Sequence, residues 1–157
     1  MTAAQIIARY DLQPLPGEGG YFRRFYTHPR HLPGSASRLA SAIFFLITKD
    51  SFSAMHRLPS DELFHFYEGH PTQTLQLDST GGGQIFRFGL DHERAVVVPG
   101  GVWQGMRLAD DAPDDAFAFF GVSVHPEFRD EEFELGERAA LCAAYPAWRS
   151  EIERLTR

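Results

Sequence analysis

A histidine and a carboxylate six residues apart, His56 and Glu62, are the pair in this chain best spaced for chemistry. His56 lies on one apolar run and Glu62 opens a second, with the turn Leu58-Pro59-Ser60-Asp61 between them and Gly69 closing the stretch. An imidazole changes charge near neutrality and can move protons or bind a metal, and a carboxylate beside it can orient the ring or share a cation. Two strands joined by that turn aim both groups at one space. Side chains alternate along a strand. If His56 points inward, Phe52, Ala54 and Leu58 share its face; if Glu62 does, so do Phe64 and Phe66, with Leu63, His65 and Tyr67 opposite. A later strand puts Gln104 on the face of Val102 and Met106, with Trp103 and Arg107 on the other side. The inner set is then His56, Glu62 and Gln104 among phenylalanine rings, and a few polar groups converging in an apolar cavity are the usual anatomy of a small-molecule site. Arg24, on an earlier strand, offers a guanidinium suited to a carboxylate or phosphate, set against the commoner role of a solvated or salt-bridged strand arginine.

The elements that must position these groups are short. Thr2–Tyr10 reads as a helix with Thr2 as cap and Ile6, Ile7 and Tyr10 on one face, ended by Pro14 and Pro16. Gly17-Glu18-Gly19-Gly20 is a flexible approach to a strand over Tyr21–Thr27. Ala40–Thr48 and Ala116–Val124 are continuous apolar runs of strand length, and Thr72–Asp78 alternates as a half-buried strand does. Gly81-Gly82-Gly83 is a hairpin turn into Gln84–Leu90, with no helix start or Gly-Lys-Ser/Thr to make it a phosphate loop. Ala95–Val98 and Val102–Leu108 are strands separated by Pro99-Gly100-Gly101. Glu137–Tyr145 is helical, and Pro146 starts a further helix to Leu155. Eight or nine short strands with helices only at the ends predict an all-β sandwich or barrel: one domain over residues 1–157, barrel about 20–126, helical ends about 2–10 and 137–155.

Composition narrows the classes. The 157 residues carry a formal net charge of -6 and no basic run, so neither nucleic acid nor an anionic membrane surface is an expected partner. Fourteen residues are Phe, enough to line a core or cavity with rings. The one cysteine, Cys142, cannot form an intrachain disulfide and is expected to pack as a small hydrophobe, which points to the cytoplasm. The longest apolar run, Ala42–Ile47, is far shorter than a membrane span, and the first residues lack the features of a signal peptide. Asp61 reads as a turn residue, His125 as a strand end, Asp130-Glu131-Glu132 as solvated surface, and outward Tyr67 and Trp103 as a dimer face.

The motifs resemble those of cupins. His56, Glu62 and Gly69 match the spacing of the first cupin motif, with Leu58 where a second histidine stands; Pro99, Gly101 and Gln104 match the second, with Gln104 in its histidine position. Asp50 and Glu93 replace the glycines that open the two motifs. A narrower likeness, to the fifth cupin family, is carried by Gly19-Gly20-Tyr21-Phe22, Phe52–Arg57, Ser60-Asp61-Glu62, Phe66–Gly69, Val98–Gln104 and Val124–Phe128, over roughly residues 10–146. The resemblance implies a double-stranded β-helix, that is, a cupin jelly-roll barrel, and a homodimer. Metal-binding cupins use three histidines and a glutamate; here His56, Glu62 and Gln104 are left to hold a divalent ion with waters, or to hydrogen-bond one another. Metal-free cupin epimerases of nucleotide-linked keto-sugars use a barrel histidine as base, a role that falls to His56 with Glu62 orienting it. Their tyrosine acid has no counterpart between Gly69 and Ala144.

Three functions stay open on these residues. One is an isomerase- or epimerase-like enzyme, or a metal-assisted one, with His56 and Glu62 catalytic and Arg24, Phe64, Phe66 and Gln104 around a small polar, sugar-like or carboxylate-bearing ligand. The second is a binding or sensing barrel without catalysis. The third is a structural dimer module with a filled interior.

Overall fold

The chain opens on the expected helix. In the computed structural model, which describes residues 1–157, Thr2 caps α1 (Ala3–Tyr10): its hydroxyl accepts from the Gln5 amide while the Gln5 side chain accepts from the Thr2 amide. This reciprocal pair satisfies two donors that a helix start otherwise leaves open. Eleven strands follow: β1 (Gln13–Pro14), β2 (Tyr21–Thr27), β3 (Ser41–Thr48), β4 (Ser53–Arg57), β5 (Asp61–Gly69), β6 (Thr72–Leu77), β7 (Gly83–Phe88), β8 (Ala95–Val98), β9 (Trp103–Leu108), β10 (Phe117–His125) and β11 (Glu134–Leu135). The chain ends in α2 (Arg138–Ala144) and α3 (Arg149–Arg154). The two strands beyond the expected nine are the two-residue pairs β1 and β11, too short to leave a periodic signal. Pro146 begins a 3₁₀ turn, Pro146–Trp148, so the expected final helix is split and only α3 is α-helical.

The strands form two antiparallel sheets, β1-β2-β3-β10-β5-β8 and β11-β4-β9-β6-β7, facing each other as a jelly roll. The continuous apolar runs have a cause. Both faces of β3 and β10 are covered. Phe45 and Ile47 of β3, with Ala118, Phe120 and Val122 of β10, enter the interior cluster of 14 buried residues. Leu46 and Phe119, pointing the other way, pack with Ile6 of α1. Strands buried on both sides lose the alternation that a half-exposed strand shows.

The outer face of the second sheet is covered by the C-terminal segment. Met55, Leu75 and Leu77 pack against Leu141, Cys142, Tyr145, Ile152 and Leu155, so Cys142 is a core residue. Trp103 packs against this same cluster, beneath the guanidinium of Arg57 4.5 Å from its ring. The expected place of Trp103 on a dimer face is therefore corrected: the chain's own terminal helices take that position. Arg107, on the same outer face, is buried and bonded to Glu151 of α3 at 2.6 Å. No helix is long and apolar enough to cross a membrane.

One end of the barrel is filled by phenylalanine. Phe66 and Phe88 each meet Phe120 edge to face, with centroids 5.5 and 5.3 Å from it, the arrangement that ring quadrupoles favour. The other end is open, and the polar set lies there.

Candidate active site

The turn Leu58–Ser60 and the turn Pro99–Gly101 dock on one another. The Gly101 amide donates to the Leu58 carbonyl at 2.7 Å, and the Gly100 amide donates to Asp61 Oδ1 at 2.8 Å. Asp61 is thus more than a local turn residue: it ties the strand start that carries Glu62 to the loop that leads to Gln104. His56 on β4 stands directly across from Gln104 on β9, while Glu62 on β5 stands across from Val98 and Val124 in the other sheet. The site therefore spans the gap between the sheets.

His56, Glu62 and Gln104 are all buried. The Gln104 amide nitrogen donates to Glu62 Oε1 at 2.7 Å and lies 3.3 Å from His56 Nε2. His56 Nδ1 lies 2.7 Å from the Ala54 carbonyl oxygen. A carbonyl only accepts, so Nδ1 carries the proton, and the neutral ring keeps its lone pair at Nε2, where one amide proton of Gln104 meets it. One glutamine thus satisfies the base and the acid together.

A second carboxylate reaches this point. Glu18, from the loop between β1 and β2, places Oε1 4.0 Å from His56 Nε2, almost as near as the 3.9 Å of Glu62 Oε1. Its other anchor is the Ser53 hydroxyl, which donates to it at 2.7 Å. The loop is held by backbone: the Ala54 amide donates to the Glu18 carbonyl at 2.9 Å, and Arg157 donates to the carbonyls of Gly17 and Glu18 at 2.5 and 3.2 Å. Gly19 and Gly20, directly after Glu18, take φ of 106° and 75°, conformations that glycine adopts at little steric cost. Composition describes Glu18 as part of a flexible approach. The available signal was a lone carboxylate between glycines, directly before a motif.

The three groups set one another's protonation. Burial disfavours the imidazolium of His56, but the carboxylates of Glu18 and Glu62 and the Ala54 carbonyl outweigh it, so its pKa lies above the ordinary value. Burial raises Glu62 to about 7; His56 opposes the rise, the Glu18 charge adds to it, and the Gln104 hydrogen bond opposes it. The two groups are therefore coupled: the charge on each favours the charged form of the other.

The cavity beside them measures about 330 Å³, within the usual range for small-molecule sites. Its wall includes Phe22, Phe45, Phe64, Leu58, Phe128 and Phe133, with the buried His56 and Glu62 and the partly buried Glu18 as its polar end and Arg24 and Asp130 at the exposed rim. Phe133 stacks on the His56 ring at 5.3 Å and 25°. Arg24 Nη2 donates to the Phe128 carbonyl at 3.1 Å.

Among the expected residues, His56, Glu62, Phe64 and Arg24 line this space. Phe66 does not: it belongs to the filled end of the barrel, 5.5 Å from the Phe120 ring. Gln104 lies behind His56 and Glu62 and contacts them instead of the cavity. Phe52 leaves the face of His56, because a bulge between Ser53 and His56 shifts the phase of β4; it packs instead with the C-terminal cluster. Asp130 is not plain surface but part of the rim, while Glu131 and Glu132 pair with Arg129.

A resident metal ion does not fit this donor set. Gln104 turns its amide nitrogen, which cannot ligate, toward both Glu62 and His56, and Leu58 lines the wall with an isobutyl group. Glu18 and Glu62 approach His56, but the three are not grouped closely enough to hold an ion together. Placing imidazoles at both positions with the double substitution Leu58→His and Gln104→His is expected to create a zinc or manganese site. Calorimetry should then show at least a roughly hundredfold gain in affinity over the parent; equal affinity would refute this account of the donor set.

Comparison with known proteins agrees with the geometry. Protein SO0799 from Shewanella oneidensis is 28% identical with a TM-score of 0.90, over 100% of this chain and 98% of that one. A hypothetical protein from Leishmania major is 27% identical with a TM-score of 0.89, over 99% of each. An oxalate decarboxylase mutant from Bacillus subtilis shares the fold at 16% identity and a TM-score of 0.58, with this chain spanning 37% of its length; another structure of that decarboxylase concerns its Mn(II) centres. No curated protein matches the chain significantly. The profile of the family described as "Cupin superfamily (DUF985)" matches residues 4–136, and the chain belongs to that family, Cupin_5.

Proposed function

We propose that this protein binds a small polar molecule in its phenylalanine-walled cavity and moves a proton on it, isomerase- or epimerase-like, with His56 as base. What supports this reading most is the fixed tautomer of His56. Nδ1–H is held by the Ala54 carbonyl at 2.7 Å, so the basic lone pair is at Nε2, beside Glu62 and Glu18. A proton taken from a ligand would place positive charge on the imidazole, and two carboxylates about 4 Å away would stabilise it. Glu62, with a pKa near 7, can receive or return that proton at neutral pH. Gln104 positions both groups, and Arg24 at the rim meets the part of the ligand that faces solvent.

The test begins with mass spectrometry of whatever copurifies with the native protein. The recovered compound is then incubated with the protein in deuterium oxide. Wild type should exchange a carbon-bound hydrogen, and His56→Gln should slow exchange by roughly a hundredfold to ten-thousandfold. Exchange unaffected by that substitution would remove His56 from the role of base. A second reading, a non-catalytic binding or sensing barrel, draws on the Gln104 amide already standing 3.3 Å from Nε2. Retention of the ligand with no exchange in wild type would favour it.

The reading is of a cytoplasmic homodimer. The lone buried Cys142 and the exposed apolar side chains Phe25, Tyr67 and Val97 on the six-stranded sheet support it.

A further inference from the structure

The buried end of the cavity has more negative charge than its own residues neutralise. Glu18 and Glu62 converge there, and the basic nitrogen within 4.0 Å of either carboxylate is His56 Nε2 alone. Two ionised carboxylates face one imidazole, so even with His56 protonated the three groups sum to a charge of minus one. The remaining charged groups at the cavity, Arg24 and Asp130, are of opposite sign and at the solvent-exposed rim. An uncompensated charge among apolar walls is costly. Those walls are also of a particular kind: five are phenylalanine, Phe22, Phe45, Phe64, Phe128 and Phe133. Aromatic faces attract cations, and rings combined with a carboxylate form the usual cage for an alkylated ammonium. One ring already does so, since the guanidinium carbon of Arg24 lies 5.8 Å from the centroid of Phe128.

We propose that the ligand of this cavity is a small organic cation, an alkylammonium compound, with its charge balanced by Glu18 and Glu62 and its carbon-bound shell against the phenylalanine wall. This rests on the small-molecule reading of the same site and names the charge class of that molecule. It also replaces the carboxylate-bearing ligand that Arg24 alone brings to mind: an anion at the buried end would face two carboxylates.

The test uses three probes of one shape on the full-length protein: choline, its uncharged isostere with carbon in place of nitrogen, and the matching carboxylate. Binding is followed by calorimetry and ligand-observed NMR. At about pH 8 choline should bind roughly tenfold or more tightly than the uncharged isostere, and the carboxylate most weakly. Glu18→Gln, which keeps the Ser53 contact, should reduce that preference roughly tenfold, with little change for the uncharged probe. Lowering the pH to about 6 should weaken choline as Glu62 takes up a proton and its charge is lost. Preference for the uncharged probe or for the carboxylate would overturn the charge class while leaving the small-molecule reading intact, as would a neutral or anionic compound recovered from the native protein. Failure of all three probes to bind would overturn the proposal itself, and the copurification experiment judges the wider reading independently.

Discussion

Glu62→Gln is expected to make the protein more stable at pH 8, by roughly 2 kcal/mol, and to flatten its dependence on pH. Glu62 is buried and holds its proton up to about 7 in the folded chain, against an ordinary 4.5. Between those values the native state binds more protons than the unfolded one, so stability falls as pH rises. The full span corresponds to roughly 3 kcal/mol, and relaxation of the site should reduce what is measured. His56 acts in the same sense. Its folded pKa is raised, so its contribution is complete below the ordinary imidazole range and disappears as pH climbs past the folded value. Glutamine resembles the protonated acid and can still accept from Gln104. Urea unfolding at about pH 5 and about pH 8 should show a marked loss for wild type and little for the variant. A variant less stable than wild type at about pH 8 would show that the Glu62 charge stabilises the fold. A gain in stability on that scale would mark Glu62 as a residue whose charge costs the fold, as charged groups at functional sites often do.

Gly69→Ala is expected to cost at least about 3 kcal/mol and to abolish folding in any less stable background. Gly69 ends β5 at a φ of 117°, a region that L residues adopt only with strain. A Cβ there would also run into the Phe117 carbonyl oxygen and stand 2.9 Å from the Ala118 Cα. Both obstacles are backbone of the neighbouring central strand, so neither can rotate aside. Gly81 provides the control: its φ is 89°, but a Cβ there meets nothing within 4 Å. Gly81→Ala should cost only the conformational part, about 1 kcal/mol. Thermal and urea denaturation of the two variants would separate the contributions, and equal losses would mean that the close approach to β10 carries no weight.

Gly69 was legible as the end of an apolar run, and the same kind of pattern located much of the site. Alternation put Glu62 with Phe64 and Phe66 on the inner face of β5, and Gln104 with Met106 on that of β9; all five are buried. The same rule failed on β4. The bulge between Ser53 and His56 inserts one residue against β9, which sends Phe52 outward, and no residue type in Phe52–His56 announces it. Trp103 was read correctly as outward, but what covers it was not visible, because the partner is a helical segment some forty residues later in the chain.

What the sequence determined by itself was local and periodic. The turn chemistry and the apolar runs yielded a barrel and its inner face, and the motifs between Gly19 and Phe128 carried the resemblance to its family. Those features depend on neighbours a few residues apart, so they are written in order along the chain. Tertiary structure alone decided how the inner face is divided. It filled one end with Phe66, Phe88 and Phe120, and left the other open around Phe64 and His56. It turned Gln104 from a wall residue into the link between acid and base. It also brought Glu18 from a glycine loop to within 4.0 Å of an imidazole thirty-eight positions away. The reason is physical: charge, burial and protonation depend on distances through space, and closing a barrel sets those distances only after every strand is in place.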